Sequence, residues 1–313
     1  NWESMDSVRV LHSMFRKTWQ HTALASSRAV EPFLSSYQPG GTATIVCDNW
    51  TSRVIGKGED PHGLGRWSYM VLRGKGTTKV VIITAYNVGQ RSHLEGGERT
   101  AYKQQIRILS QSIRNGNLNI APNPRRQFIL DLQAWIEHLI QTEHEIILSL
   151  DANEPYNPDI PGTVHPLPYI SDKLTTSKTH DGKLSTLIAS CGLRDPLASH
   201  HPERPFPASY FRGKHRIDYI LVTPRLMAAV EHSGSLPLYS LFQGDHRPYY
   251  VDFNAAIAFS DNAYEIVRPK GRGLQLHDPR IVAKYREVLH EQLQYHNIYD
   301  KMETLMQHAL EGT

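Results

Sequence analysis

Apolar residues fall at helical spacing over residues 4–20, where Met5, Val8, Leu11, Met14 and Phe15 share one face. Residues 31–41 carry Pro32, Pro39, Gly40 and Gly41 and read as a loop. The run 42–47 reads as a strand. Residues 54–66 are Gly-rich and read as a loop leading into a strand at 68–72. A Gly-Lys-Gly turn at 74–76 follows. Residues 79–86 then form an apolar, β-branched run, the pattern of a strand covered on both faces. Helices are expected at 98–113 and 127–141. In the second, Phe128, Leu132, Trp135, Ile136, Leu139 and Ile140 make one apolar stripe. The next buried strand is 145–150, ending at Asp151. A long Pro-containing segment runs from 153 to 179, and segments of that length without regular structure commonly carry function. A short helix at 183–191 is closed by Gly192, a natural C-terminal cap. Two further strands are expected at 216–223 and 249–253.

Strands and helices are intermixed, and several strands are joined by short turns, which points to a mixed sheet system. After Asn254 the texture changes. Residues 260–279 are polar and punctuated by Gly and Pro, and 279–295 reads as an amphipathic helix through Ile281, Val282, Tyr285, Val288, Leu289 and Leu293. A second short helix is expected at 300–310. The division is therefore a mixed α/β unit at 1–256 and a helical extension at 257–313.

Composition changes this picture only a little. In 313 residues, 40% are hydrophobic and 21% charged, which suits a folded chain and excludes global disorder. No stretch approaches ~18 consecutive apolar residues, so no membrane-spanning helix is expected. The net charge of +3 is too mild to demand a nucleic-acid partner, although a local basic face remains open. Cys47 and Cys191 do not make a disulfide framework, and the 17 histidines show no zinc-type spacing. The chain opens Asn1-Trp2-Glu3-Ser4, with neither Met nor a secretion signal, so an intracellular location is expected, with the nucleus left open, and the chain reads as a fragment.

The candidate chemistry stands at the ends of the buried strands, where charge needs a reason to be. Asp151-Ala152-Asn153 follows 146–150 directly. If strand alternation persists, Asp151 and Asn153 face one pocket, an anionic oxygen beside an amide, which suits Mg²⁺. Asp and Asn also favour turns, which leaves a plain strand-ending turn open. Gly244-Asp245-His246-Arg247-Pro248 precedes 249–253 and sets a carboxylate beside a proton-transfer group, or forms a surface turn closed by Pro248. Asp218 interrupts an otherwise apolar strand, 216–221. Its natural partner is His246, whose ring it would orient; the alternative is satisfaction by backbone amides. Tyr86 ends 79–86, where its phenol either packs or reaches a phosphate oxygen.

The order of these pieces resembles the endonuclease/exonuclease/phosphatase superfamily, the group that includes deoxyribonuclease I and the apurinic endonucleases. Asp151-Ala152-Asn153 is similar to its Asp-x-Asn motif. Ser209-Tyr210 followed by Arg216-Ile217-Asp218-Tyr219-Ile220-Leu221 resembles its Thr-aromatic and Arg-Ile-Asp-Tyr strand. Gly244-Asp245-His246-Arg247-Pro248 resembles its Ser-Asp-His-x-Pro signature. Residues 39–43 and Gly192-Leu193-Arg194-Asp195 match lesser landmarks, and the likeness spans about residues 4–254. It implies an α/β fold, a four-layer sandwich with two packed mixed β-sheets, here N-terminally truncated and followed by the helical extension. It implies Mg²⁺ as cofactor, with Mn²⁺ as a substitute, held by Asp245 and Asp151. Asp151 would activate the attacking water, Asn153 and Tyr86 would hold the phosphate, and His246, oriented by Asp218, would contact it or assist proton transfer. Ser209 and Arg212 would meet the substrate.

The sequence departs from that family in three places. Its first-strand Asn and its metal-binding Glu would both precede 4–20, and no residue here supplies them, so weakened Mg²⁺ binding and little cleavage are expected. Asn87 follows Tyr86 without the usual spacer and is left without a role. Ser209 stands where Thr is usual. For substrate, nucleic acid, DNA first, is favoured by the basic residues Arg204, Arg212, Lys214, His215 and Arg216 near the proposed site. The helical segment after the domain resembles what precedes the reverse transcriptase in non-LTR retrotransposon polyproteins, so a downstream reverse transcriptase is an expected partner. No membrane partner is expected. Two other readings stand: a phosphomonoesterase or phospholipase of the same fold, and an inactive or purely binding module.

Overall fold

The computed structural model describes residues 5–29, 40–89, 100–114, 123–156, 183–203, 206–240, 244–260 and 278–311. The chain divides into two compact units, Asn1–Ile266 and Val267–Thr313.

The first unit opens with helix α1 (Met5–Thr18) and two antiparallel strands, β1 (Thr22–Ser27) and β2 (Thr42–Cys47). A 3₁₀ turn at Asp48–Arg53 leads into β3 (Val54–Glu59), β4 (Trp67–Arg73) and β5 (Lys79–Tyr86). Helices α2 (Ala101–Arg114) and α3 (Pro124–Gln141) connect β5 to β6 (His144–Asp151). Then come α4 (Leu184–Ser190), α5 (Pro196–His200), β7 (Asp218–Val222), α6 (Pro224–Met227), β8 (Val230–Ser235), β9 (Tyr249–Phe253) and α7 (Ala255–Ala258).

Strands β3-β4-β5-β6-β7 form one mixed sheet in that order, with β5 and β6 parallel and the other neighbours antiparallel. Both faces of this sheet are buried, as the unbroken apolar run of β5 requires. On one face Val81, Ile83, Ala85, Ile146, Leu148 and Leu150 pack against Phe128, Leu132 and Ile136 of α3 and Leu184 and Leu187 of α4. On the other, Met70, Leu72 and Val80 pack with Ala25 of β1, Val46 of β2 and Phe253 of β9. This second interface also carries a polar seam. The Thr44 hydroxyl donates to the Thr84 hydroxyl at 2.9 Å, and the Thr42 hydroxyl to that of Ser68 at 3.1 Å. With α1 against β1, the layers run helix, two-stranded sheet, five-stranded sheet, helices. Among the described residues the second β layer consists of two antiparallel pairs, β1-β2 and β8-β9.

The topology places the site. A helix joining two parallel strands runs back across the sheet, so the start of α3 lies where β5 and β6 end. Asn123 caps α3, its side chain accepting from the Arg126 amide, with Pro124 following in the first turn. Fully buried Arg66 ties the β3–β4 connection to α3, donating to both Asp60 and Asp131 at 2.6 Å.

Three expectations are corrected. Residues 54–59, expected as loop, are an edge strand. Gly56 and Gly58 face Val71 and Tyr69 of β4, and a Cβ on Gly58 would lie 2.6 Å from the Tyr69 hydroxyl oxygen. Strands β1 and β8 and helices α5 to α7 were not foreseen. Helix α3 begins three residues before 127, because the Asn123 cap and Pro124 sit ahead of the apolar stripe. Most of 153–179 and of 260–279 lies outside the described residues.

The second unit holds α8 (Pro279–Tyr295) and α9 (Ile298–Glu311), which contact each other. Asp278 caps α8, accepting from the Arg280 amide at 3.0 Å. No described helix is long and apolar enough to cross a membrane.

Candidate active site

Tyr86 and Asp151 are the last residues of β5 and β6, and Asp218 is the first of β7. Tyr86 is the register partner of Asp151, and Asp151 of Asp218. Register partners on neighbouring strands share a face, so the three side chains form a row across one end of the sheet. Gly40 lies over the Tyr86 ring with φ +79°. A Cβ there would meet the ring at 3.3 Å in a conformation that L-residues rarely adopt, which accounts for the Gly40-Gly41 pair.

His246 reaches the same row from the segment before β9. Its Nδ1 lies 2.8 Å from Asp218 Oδ2. A bridge between Tyr210 and His246 and the bond from the Phe211 amide to the Asp245 carbonyl at 2.9 Å hold the two segments together. One ligand atom each of Asp151, Asp218 and His246 lies within 4.8 Å of the others. Asp245 is exposed and sits beside this trio rather than in it, close enough for its charge to act on His246.

The electrostatics follow from this crowding. Burial and the neighbouring charge of Asp218 push the Asp151 carboxyl up to about 7, against the pull of His246, the Asn153 amide and Arg125. At His246 burial works against the charged ring. The hydrogen bond and charge of Asp218, then the charges of Asp151 and Asp245, outweigh it and lift the imidazole to about 9. At neutral pH the ring is therefore a cation held by Asp218. The half-buried carboxylate pair opposite it is an oxygen donor set that a hard divalent cation would relieve. Asp151 and Asp218 are the carboxylates of this cluster that could hold such an ion.

Asn153 departs from expectation. The chain turns into the left-handed region there, φ +50°, so strand alternation ends at Asp151. The Asn153 amide N–H donates to Asp151 Oδ1 at 3.0 Å, an Asx turn, and its Nδ2 donates to the Asn87 carbonyl at 2.7 Å. The side chain thus joins the ends of β5 and β6, and one of its two Nδ2 hydrogens is left for another acceptor. Asn87, given no role from the sequence, is buried, and its own amide donates to the Asp151 carbonyl at 2.8 Å.

Ser209 was expected to meet substrate, but it is fully buried. Its Oγ accepts from the amides of Ile217 at 2.8 Å and Asp218 at 3.2 Å, so it sets the start of β7. Arg216 is likewise withdrawn from the basic cluster. It is buried against Asp195 at 2.7 Å and donates to the Asp218 carbonyl at 3.0 Å. Arg212, Lys214 and His215 are exposed, with the Arg212 guanidinium 4.8 Å from the centre of the Phe211 ring. Arg204 lies outside the described residues.

Sequence reasoning missed Arg125 and Glu154. Arg125 donates to the carbonyls of Val88 and Ala152 and to Glu154. The available signal was positional: an Arg in the first turn of a crossover helix belongs where the parallel strands end.

The chain matches no protein-family model and no curated protein sequence. Among solved structures it is similar to the 3′ phosphatase NExo from Neisseria bound to a product DNA hairpin, at 19% identity and TM-score 0.43, covering 79% of this chain and 82% of that one. It is also similar to an AP endonuclease from Archaeoglobus fulgidus, at 16% and 0.44, covering 77% and 82%. A third is the endonuclease domain of TRAS1, a telomere-specific non-LTR retrotransposon, at 10% and 0.35, covering 74% and 80%.

Proposed function

We propose that this chain hydrolyses phosphodiester bonds of nucleic acid, DNA first, with Mg²⁺ or Mn²⁺ as cofactor. The observation that carries the reading is the convergence of Asp151, Asp218 and His246, from three separate segments, on one 4.8 Å cluster. A bound divalent cation would supply Lewis-acid stabilisation of the charge that builds on the phosphate oxygens. Asp151 holds that ion or orients the attacking water. The His246 imidazolium, locked through Nδ1 by Asp218, presents its other ring nitrogen as a charged donor toward a phosphate oxygen or the leaving group. The second Nδ2 hydrogen of Asn153 and the Tyr86 phenol are donors at the same sheet end. Arg212 and Lys214 provide exposed positive charge for the flanking backbone, with the exposed His215 beside them.

The finer reading is a retroelement-type endonuclease whose helical unit α8–α9 leads toward a reverse transcriptase. It is supported by the motif order and by the place of the helices after the catalytic unit in the sequence.

The test is nicking of supercoiled plasmid by the full chain in Mg²⁺ or Mn²⁺, beside phosphate release from inositol phosphates and cleavage of phospholipid. Slow metal-dependent nicking that is lost in Asp151→Asn and His246→Ala is expected, in keeping with the absence of a residue matching the family's metal-binding Glu. Turnover of the small esters or lipid alone would move the assignment to a phosphomonoesterase or phospholipase. No metal-dependent cleavage of any phosphoester would overturn it.

A further inference from the structure

We infer that Arg125 is the positioning residue that locks the two strand-end loops of the site together, an assignment that rests on the hydrolysis reading only for its effect on turnover. Arg125 lies in the first turn of α3, beyond the row of Tyr86, Asp151 and Asp218, and its side chain is largely buried, at 14% exposed. One terminal nitrogen donates to the Val88 carbonyl, in the loop leaving β5. The other donates to the carbonyl of Ala152 at 3.2 Å, in the loop leaving β6, and to Glu154 Oε2 at 3.0 Å. The Asn153 carbonyl lies 3.5 Å from that nitrogen. Glu154 passes the restraint on, because its Oε1 accepts from the Leu184 amide at 2.8 Å at the start of α4.

These contacts hold the loops where close approach is already needed. A Cβ on Gly89 would lie 3.3 Å from Asn153 Oδ1, and Asn153 itself reaches the Asn87 carbonyl. The loops therefore face each other across a narrow gap, with backbone carbonyls from both turned to one guanidinium. Only a planar fork with donors on two nitrogens can serve both loops and a carboxylate at once; a lysine ammonium is a point donor on a flexible stem. The guanidinium sits behind the loops, one residue from Asp151 on one side and two from Tyr86 on the other, so it fixes the spacing of the groups that would meet the phosphate. Misplacement of reacting groups by about 1 Å is enough to cost on the order of 10²-fold in rate.

The experiment uses the full chain with Arg125→Gln, Arg125→Lys and Glu154→Gln. Amide hydrogen exchange is followed over residues 87–89 and 151–156, with strand amides 80–85 and 145–150 as internal reference, and plasmid nicking gives kcat and KM. Arg125→Gln is expected to raise exchange in both loops together while the strands keep their protection, with Arg125→Lys intermediate. In nicking, kcat is expected to fall roughly 10- to 100-fold with KM little changed. Exchange unchanged in both loops, or raised only in the first turn of α3, overturns the assignment even if activity falls. If Arg125→Gln loses strand protection as well, Arg125→Lys and Glu154→Gln decide: loosening of both loops supports the clamp, and native exchange in both refutes it. A wild-type chain that nicks nothing sinks the hydrolysis reading, and the exchange data then judge the clamp alone.

Discussion

Asp218 gives one carboxylate oxygen to His246 and stands opposite Asp151, so one residue both orients the imidazole and raises the acidity problem of its neighbour. Removing it has two opposite consequences. His246 loses the partner that lifts it to about 9 and should titrate closer to the ordinary histidine range, as NMR of the ring protons would show. Asp151 loses a repelling charge and should ionise more readily. With the ring no longer fixed and one carboxylate of the cation site gone, nicking by Asp218→Ala is expected to fall at least roughly 10- to 100-fold, while DNA affinity by fluorescence anisotropy changes little. Equal losses in binding and turnover would make Asp218 a structural residue. This pairing was legible from chemistry alone, because an Asp within an apolar strand needs a partner. The place of Asn153 was not, since alternation along β6 could not reveal the left-handed turn that follows Ala152.

At the scale of elements, the long and strongly patterned segments β5, α3 and β6 could be read directly, because burial on both sheet faces or along one helix stripe leaves a mark in composition. Strand β3 could not. It is an edge strand whose two glycines accommodate Val71 and Tyr69, and glycine reads as loop. Strand β1, Thr-Ala-Leu-Ala-Ser-Ser, and β8, with Glu231, His232, Ser233 and Gly234, carry little apolar signal because small and polar residues fill them. Only the position of Arg125 was legible, not its contacts, because most of its partners are backbone carbonyls, which have no sequence identity. The start of β7 offers a test at this scale. Ser209 Oγ is the acceptor for the amides of Ile217 and Asp218, so Ser209→Ala leaves two inward-facing N–H groups without it. A loss of about 1–3 kcal/mol in urea unfolding is expected, with Ser209→Thr closer to wild type because the hydroxyl is kept. Unchanged stability in Ser209→Ala would show that the start of β7 does not depend on this hydroxyl.

Taken whole, the first unit holds together despite a site that works against it. Asp151 titrates near 7 in the fold and near 3.8 in the unfolded chain, so the folded state binds more protons between those values and stability falls as pH rises through that window. His246 titrates near 9 in the fold against 6.5 unfolded, so its contribution is full below 6.5 and is lost as pH rises to about 9. Both slopes have the same sign, and metal-free protein is expected to lose stability steadily from about pH 4 to pH 9. A divalent cation seated on Asp151 and Asp218 would offset the carboxylate repulsion and act only on the folded state. At ten times its dissociation constant it would add about 1.4 kcal/mol. Thermal unfolding at pH 8 should therefore shift upward with Mg²⁺ or Mn²⁺ and return on chelation, and the acid-side slope should flatten while the ion is bound. Asp151→Asn removes the repulsion without the ion: it should be more stable than wild type in chelator at pH 8 and should gain little from added metal. A variant that melts as wild type does in chelator, and rises with Mg²⁺ as wild type does, would mean that the row across β5, β6 and β7 is not where the cation binds.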